Sequence, residues 1–146
     1  MATHPTEAGA SGQRTAILVA GDIVALLIFA AIGRRSHGEA AGLGAILEVA
    51  RTAAPFILGW MIAATLAGAY APSRTRGPGA MLLTTLIGWT GGLVLGAVFR
   101  ALMIGRFSPV SFYVITFLVA LLILGGWRGV FALIEAGPWW KVKGKR

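Results

Sequence analysis

AMLLTTLIGWTGGLVLGAVFRALMIG, residues 80–105, carries one charged side chain, Arg100, in an otherwise uncharged run. A bilayer core of ~30 Å is crossed by about 20 predominantly apolar residues in helix, so this run is long enough to span. Working outward, residues 110–134 repeat the pattern on one side, and residues 53–71 and 16–33 on the other. Four spans joined by short connections predict an all-α fold: a polytopic membrane protein, an antiparallel four-transmembrane-helix bundle. In lipid the backbone must satisfy its own polar groups, and helices do so within one segment.

The connection between the first two spans is longer. RRSHGEAAG (34–42) is polar, whereas LGAILEVART (43–52) sets Leu43, Ile46, Leu47 and Ala50 on one helical face and Glu48 and Arg51 on the other. That spacing predicts either a short amphipathic segment in the first loop or an early start to the second span. Pro55 is expected in a first turn, where its missing N–H has no helical partner to lose. Residues 1–14, small and polar, read as a mobile tail; 15–136 read as one membrane domain; 137–146, with Trp139, Trp140 and three lysines, read as a cytoplasmic tail against anionic headgroups. The first apolar run is about 18 residues long, holds Asp22 and lacks a cleavage site, so it is expected to be retained as a helix.

Charge is sparse: 57% of residues are hydrophobic and 12% charged, about half the charged fraction of a soluble domain. The net charge of +8 would point to nucleic acid in a soluble protein. Here the cations cluster at span ends, so no nucleic-acid partner is expected. Eight cations fall on the side of the termini and five on the other, which by the positive-inside rule puts both termini in the cytoplasm. With no cysteine there is no thiolate chemistry and no cysteine metal site.

Ionisable groups within spans are costly and need partners at the same depth. Asp22 lies about 9 Å into the first span, and Arg128, on the oppositely running fourth, falls within roughly 10 Å of the same side. An intramembrane ion pair follows, read either as a packing device or as part of solute or proton handling. Arg100 lies near the outer side, where Glu39, Glu48 or a bound anion would answer it. Arg34, Arg35 and His37, in the loop above, make with Arg100 a basic wall suited to a phosphate or carboxylate ligand. His37 and Glu39 are too few for a metal site, and adjacent Ser36 and His37 are badly spaced for nucleophile and base. No metal, cofactor or catalytic set is therefore expected. Gly88, Gly92 and Gly96 form a small-xxx-small ladder for close helix packing, within the chain or between two copies.

Several pieces together resemble one family: Gly21-Asp22; Gly33-Arg34-Arg35-Ser36-His37-Gly38; Pro55-Phe56 followed by Gly59-Trp60; and Gly68-Ala69-Tyr70. These are similar to small prokaryotic membrane proteins grouped as domain of unknown function 3054. The resemblance implies four membrane helices in a prokaryotic cytoplasmic membrane, implies no activity, and singles out Asp22, Arg34, His37, Pro55, Trp60 and Arg100. The functional expectation is a non-enzymatic protein that binds or transports a small anionic ligand or lipid headgroup at an outer basic pocket. The alternative is an accessory subunit of a larger membrane complex.

Overall fold

A computed structural model describes residues 7–35 and 42–137. Among them are four long helices and no strand: α1 (Glu7–Arg35), α2 (Leu43–Leu66), α3 (Gly77–Ile104) and α4 (Val110–Ala136), with a 3-10 turn at Pro72–Arg74. All four are long and apolar enough to cross a membrane. The chain is a multi-pass α-helical membrane protein.

The helices pack in the cyclic order α1, α2, α3, α4, with α2 against α3 the most extensive contact. That contact is made by glycine. A Cβ on Gly59 would stand 2.4 Å from the Gly92 carbonyl oxygen and 2.6 Å from the Gly96 nitrogen, and one on Gly92 would meet the Trp60 backbone at 3.0 Å. Gly88 similarly faces Ala64 and Trp60. The ladder is thus occupied inside the chain, with backbones close enough to gain dispersion that lipid cannot supply. Phe56, Trp60 and Trp89 fill the centre with no exposed surface. The Trp89 indole N–H donates to the Phe117 carbonyl at 3.1 Å, and the two indoles lie 6.3 Å apart.

The outer faces are apolar where a soluble protein would be charged. Leu66, Leu102, Leu122 and Ile134 are each at least three-quarters exposed. Around such a bundle lipid takes the place of water, so these side chains need no protein partner.

Two helix starts differ from the hydropathy runs. The amphipathic stretch 43–52 is not a separate element but the first turns of α2. Pro55 therefore sits mid-helix, where it leaves the Arg51 carbonyl without its helical partner. α1 is helical from Glu7, two turns before its apolar run, in part of what read as tail. Arg14 anchors those turns: its guanidinium donates to both carboxylate oxygens of Glu135 at the end of α4 and, at 3.0 Å, to the Thr75 hydroxyl. Residues 1–6, the loop 36–41 with His37 and Glu39, and the tail 138–146 lie outside the described residues.

Candidate functional site

Two polar sites lie at opposite ends of the bundle, and their chemistry differs. The first is on the side of the termini. α1 contributes Asp22 and α4 contributes Arg128, both with no exposed surface. The Arg128 guanidinium grips the carboxylate with both arms, Nε to Oδ1 at 2.9 Å and Nη2 to Oδ2 at 2.6 Å. Its Nη1 donates to the Ala69 carbonyl at 2.9 Å. Oδ2 of Asp22 also accepts from the Trp60 indole at 3.0 Å and the Tyr70 hydroxyl at 2.7 Å. The guanidinium carbon lies 5.0 Å from the Trp60 ring centre and 4.9 Å from that of Tyr70, within cation–π range.

Local sequence sets this up. α2 closes at Gly68, whose φ of +74° turns the chain back and brings the Ala69 carbonyl and Tyr70 over the ion pair. Glycine is also needed at position 21, since a Cβ there would lie 2.1 Å from the Trp127 ring. Tyr70 stands in the connection after α2. Burial, and then the neighbouring Asp22 carboxylate, push its phenol up from the ordinary 10.0, which keeps it protonated and donating. This cluster is saturated: each carboxylate oxygen and each arm of the guanidinium has a partner within the protein.

The second site is on the far side, where α3 ends. Arg100, Met103 and Ile104 of α3 with Glu48, Arg51, Thr52 and Pro55 of α2 line a cleft of about 370 Å³. Arg100 is half-buried; its Nε donates to the Ser108 hydroxyl at 3.2 Å, and its guanidinium lies 4.8 Å from the Phe112 ring centre. The Ser108 backbone N–H in turn donates to the Tyr113 hydroxyl at 3.1 Å. Among the described residues, the two terminal nitrogens of Arg100 make no hydrogen bond. Glu48 is shared by Arg51 at 3.3 Å and Arg34 at 3.9 Å. In the cleft lining the two guanidiniums of Arg100 and Arg51 meet one carboxylate, Glu48, which leaves the lining with a net positive charge.

The structure therefore brings Asp22 to Arg128, and Arg34 to Glu48 beside the Arg100 cleft. Arg35 is exposed at the end of α1, and His37 is outside the described residues. Arg100 is held by Ser108 and Phe112, not by Glu48. Sequence reading missed Trp60 and Tyr70 as ligands of Asp22, Ser108 and Phe112 as supports of Arg100, and Arg51 as a cleft cation. Equal depth could have found Arg14 with Glu135, since both stand at the termini ends of their helices. No group of three or more His, Asp or Glu able to hold a metal occurs among the described residues.

No curated protein and no solved structure matches the chain. A family described as "Protein of unknown function (DUF3054)" matches residues 19–131, which hold the ion pair, Trp60, Tyr70 and both walls of the cleft. The chain belongs to that family.

Proposed function

We propose that this protein binds a small anion, a phosphate or carboxylate group, in the cleft between α2 and α3, and that it holds the ligand without passing it through the bundle. One observation carries the reading. Arg100 is oriented by Ser108 and Phe112 and still has its terminal N–H groups to offer into a polar cleft. A planar donor fork held on a rigid helix suits carboxylate or phosphate oxygens. Binding is favoured over passage by what lies beneath: Phe56, Trp60, Trp89 and the Asp22–Arg128 pair fill the interior without exposed surface.

The cleft is assigned to the outer face of a prokaryotic cytoplasmic membrane, with both termini cytoplasmic. The family resemblance supports the compartment, and the cation surplus on the side of the termini supports the orientation. The chain has no cysteine, so single cysteines at Arg76 and Arg106 can be labelled without background. An impermeant maleimide should reach position 106 in intact cells and position 76 only after lysis; the reverse would invert the assignment.

The binding test uses the full chain in neutral detergent with phosphate, sulfate and small carboxylates. At least one should raise the melting temperature of the wild type and leave Arg100→Leu unchanged, with both proteins equally helical by circular dichroism. Equal responses from both proteins, or none from either, would refute the cleft as an anion site. A stoichiometric protein partner after mild extraction, with no anion response, would favour the accessory-subunit alternative.

A further inference from the structure

The cleft has features that a freely diffusing anion would not use, and they narrow the ligand. α2 and α3 run antiparallel with Phe56 against Gly96, which brings Thr52 level with Arg100 and Glu48 level with the end of α3. Residues 43–47 therefore stand about 7 Å beyond α3. Their side chains Leu43, Ile46 and Leu47 are 87%, 67% and 60% exposed. The cleft is a ledge at the end of one membrane helix beside the continuation of another, at headgroup depth. Its flank is Met103 and Ile104, 59% and 44% exposed on the lipid-facing side. A ligand resting there touches the bilayer directly.

The ledge is also mixed in sign. Arg100 and Arg51 supply donors. Glu48, the Arg51 carbonyl freed by Pro55 and the last carbonyls of α3 supply acceptors. A bare phosphate has only its own P–OH to offer those acceptors, and no donor set apart from the anion itself. A phosphodiester that carries hydroxyl groups satisfies both kinds of partner. The surplus of guanidinium over carboxylate favours a headgroup with net negative charge over a zwitterion.

Building on the anion site above, we infer that the cleft is a lateral binding site for an anionic phospholipid of the phosphoglycerol type. Its phosphate sits on Arg100 and Arg51, its headgroup hydroxyls face Glu48 and the Arg51 carbonyl, and its acyl chains lie along Met103 and Ile104.

Native mass spectrometry of the full chain in neutral detergent tests this, by titration with phosphatidylglycerol, phosphatidic acid, phosphatidylethanolamine and phosphatidylcholine of matched acyl chains. Inorganic phosphate and glycerol phosphate are titrated in parallel by calorimetry. Phosphatidylglycerol should bind at least tenfold more tightly than phosphatidylcholine. Arg100→Gln should remove most of that preference. Arg106→Gln, an exposed cation on the same side outside the cleft, should leave it intact. Glu48→Gln should narrow the margin over phosphatidic acid, since it weakens the acceptor for the headgroup hydroxyls. If the soluble phosphates bind through Arg100 and the lipids show no preference, the lipid assignment fails while the anion site stands. If neither class binds, both fail. Equal losses in Arg100→Gln and Arg106→Gln would reduce the effect to general surface charge and overturn the inference.

Discussion

The sharpest test of the bundle is a double-mutant cycle on Asp22 and Arg128. In Arg128→Met the carboxylate keeps its Trp60 and Tyr70 donors but loses its counter-ion in a site with no exposed surface. Leaving one buried charge uncompensated costs ~3–5 kcal/mol. Asp22→Leu strands the guanidinium in the same way, with the same expected cost. The double variant Asp22→Leu with Arg128→Met leaves no charge behind. The Trp60 N–H still finds the Tyr70 oxygen at 3.1 Å, while the Tyr70 hydroxyl keeps only the weak Met61 sulfur acceptor at 3.5 Å and the Ala69 carbonyl loses its partner. One orphaned carbonyl and one weakly bonded hydroxyl cost ~2–4 kcal/mol together. The singles therefore sum to ~6–10 kcal/mol against ~2–4 for the double, a coupling of ~2 kcal/mol or more. Reversible unfolding by added SDS in mixed micelles, followed by tryptophan fluorescence, measures all four corners. Arg128→Lys keeps the charge but loses the fork, and should fall between wild type and Arg128→Met. Polar pairs in membrane proteins average only ~0.6 kcal/mol of coupling, because partly unfolded states find other partners. A coupling below ~1 kcal/mol would place this pair in that ordinary class and refute the claim that it locks α1 to α4.

Two further outcomes follow from the same geometry. Gly59→Ala forces a Cβ within 2.4 Å of the Gly92 carbonyl oxygen and should destabilise by ~1–3 kcal/mol or more, whereas Gly126→Ala meets nothing within 4 Å and should change stability by less than ~0.5 kcal/mol in the same assay. Tyr70 should ionise above the ordinary 10.0 in a Tyr113→Phe background, read as phenolate absorbance near 295 nm and returning to ordinary on SDS unfolding; because the unfolded chain releases that proton first, stability present below the ordinary value is lost as pH rises beyond it, and a normal titration in the folded state would refute the buried Tyr70–Asp22 bond.

What the sequence made legible is what depends on depth and period. Length and apolarity mark four spans, the i+4 ladder marks Gly88, Gly92 and Gly96, and equal height marks Asp22 with Arg128. What it hid depends on chain path. Tyr70 reaches Asp22 only because Gly68 reverses the backbone, and nothing periodic announces that turn. Ser108 lies in the tight α3–α4 connection, whose direction decides whether its hydroxyl faces Arg100. Pro55 misleads in the other direction. In water a mid-helix proline would argue for a helix start, but packed membrane helices tolerate it, so α2 begins three turns earlier.

The two polar sites also separate structure from function on physical grounds. Both place arginine on a membrane helix beside aromatic rings, and by residue type they look alike. They differ in saturation. Around Arg128 every donor arm and both carboxylate oxygens are consumed by the protein, and no surface is left for a ligand to reach. A newcomer there would have to replace bonds already made at 2.6 to 3.0 Å, in a site where each lost bond costs more than it does in water. Around Arg100 the support is one hydrogen bond and one ring, which orients the guanidinium without using its terminal donors. A half-buried guanidinium that the protein orients and leaves incompletely bonded is the place where a ligand gains most, because it supplies the missing acceptor. For that reason the ligand is sought at Arg100, although Arg128 is the more deeply buried charge.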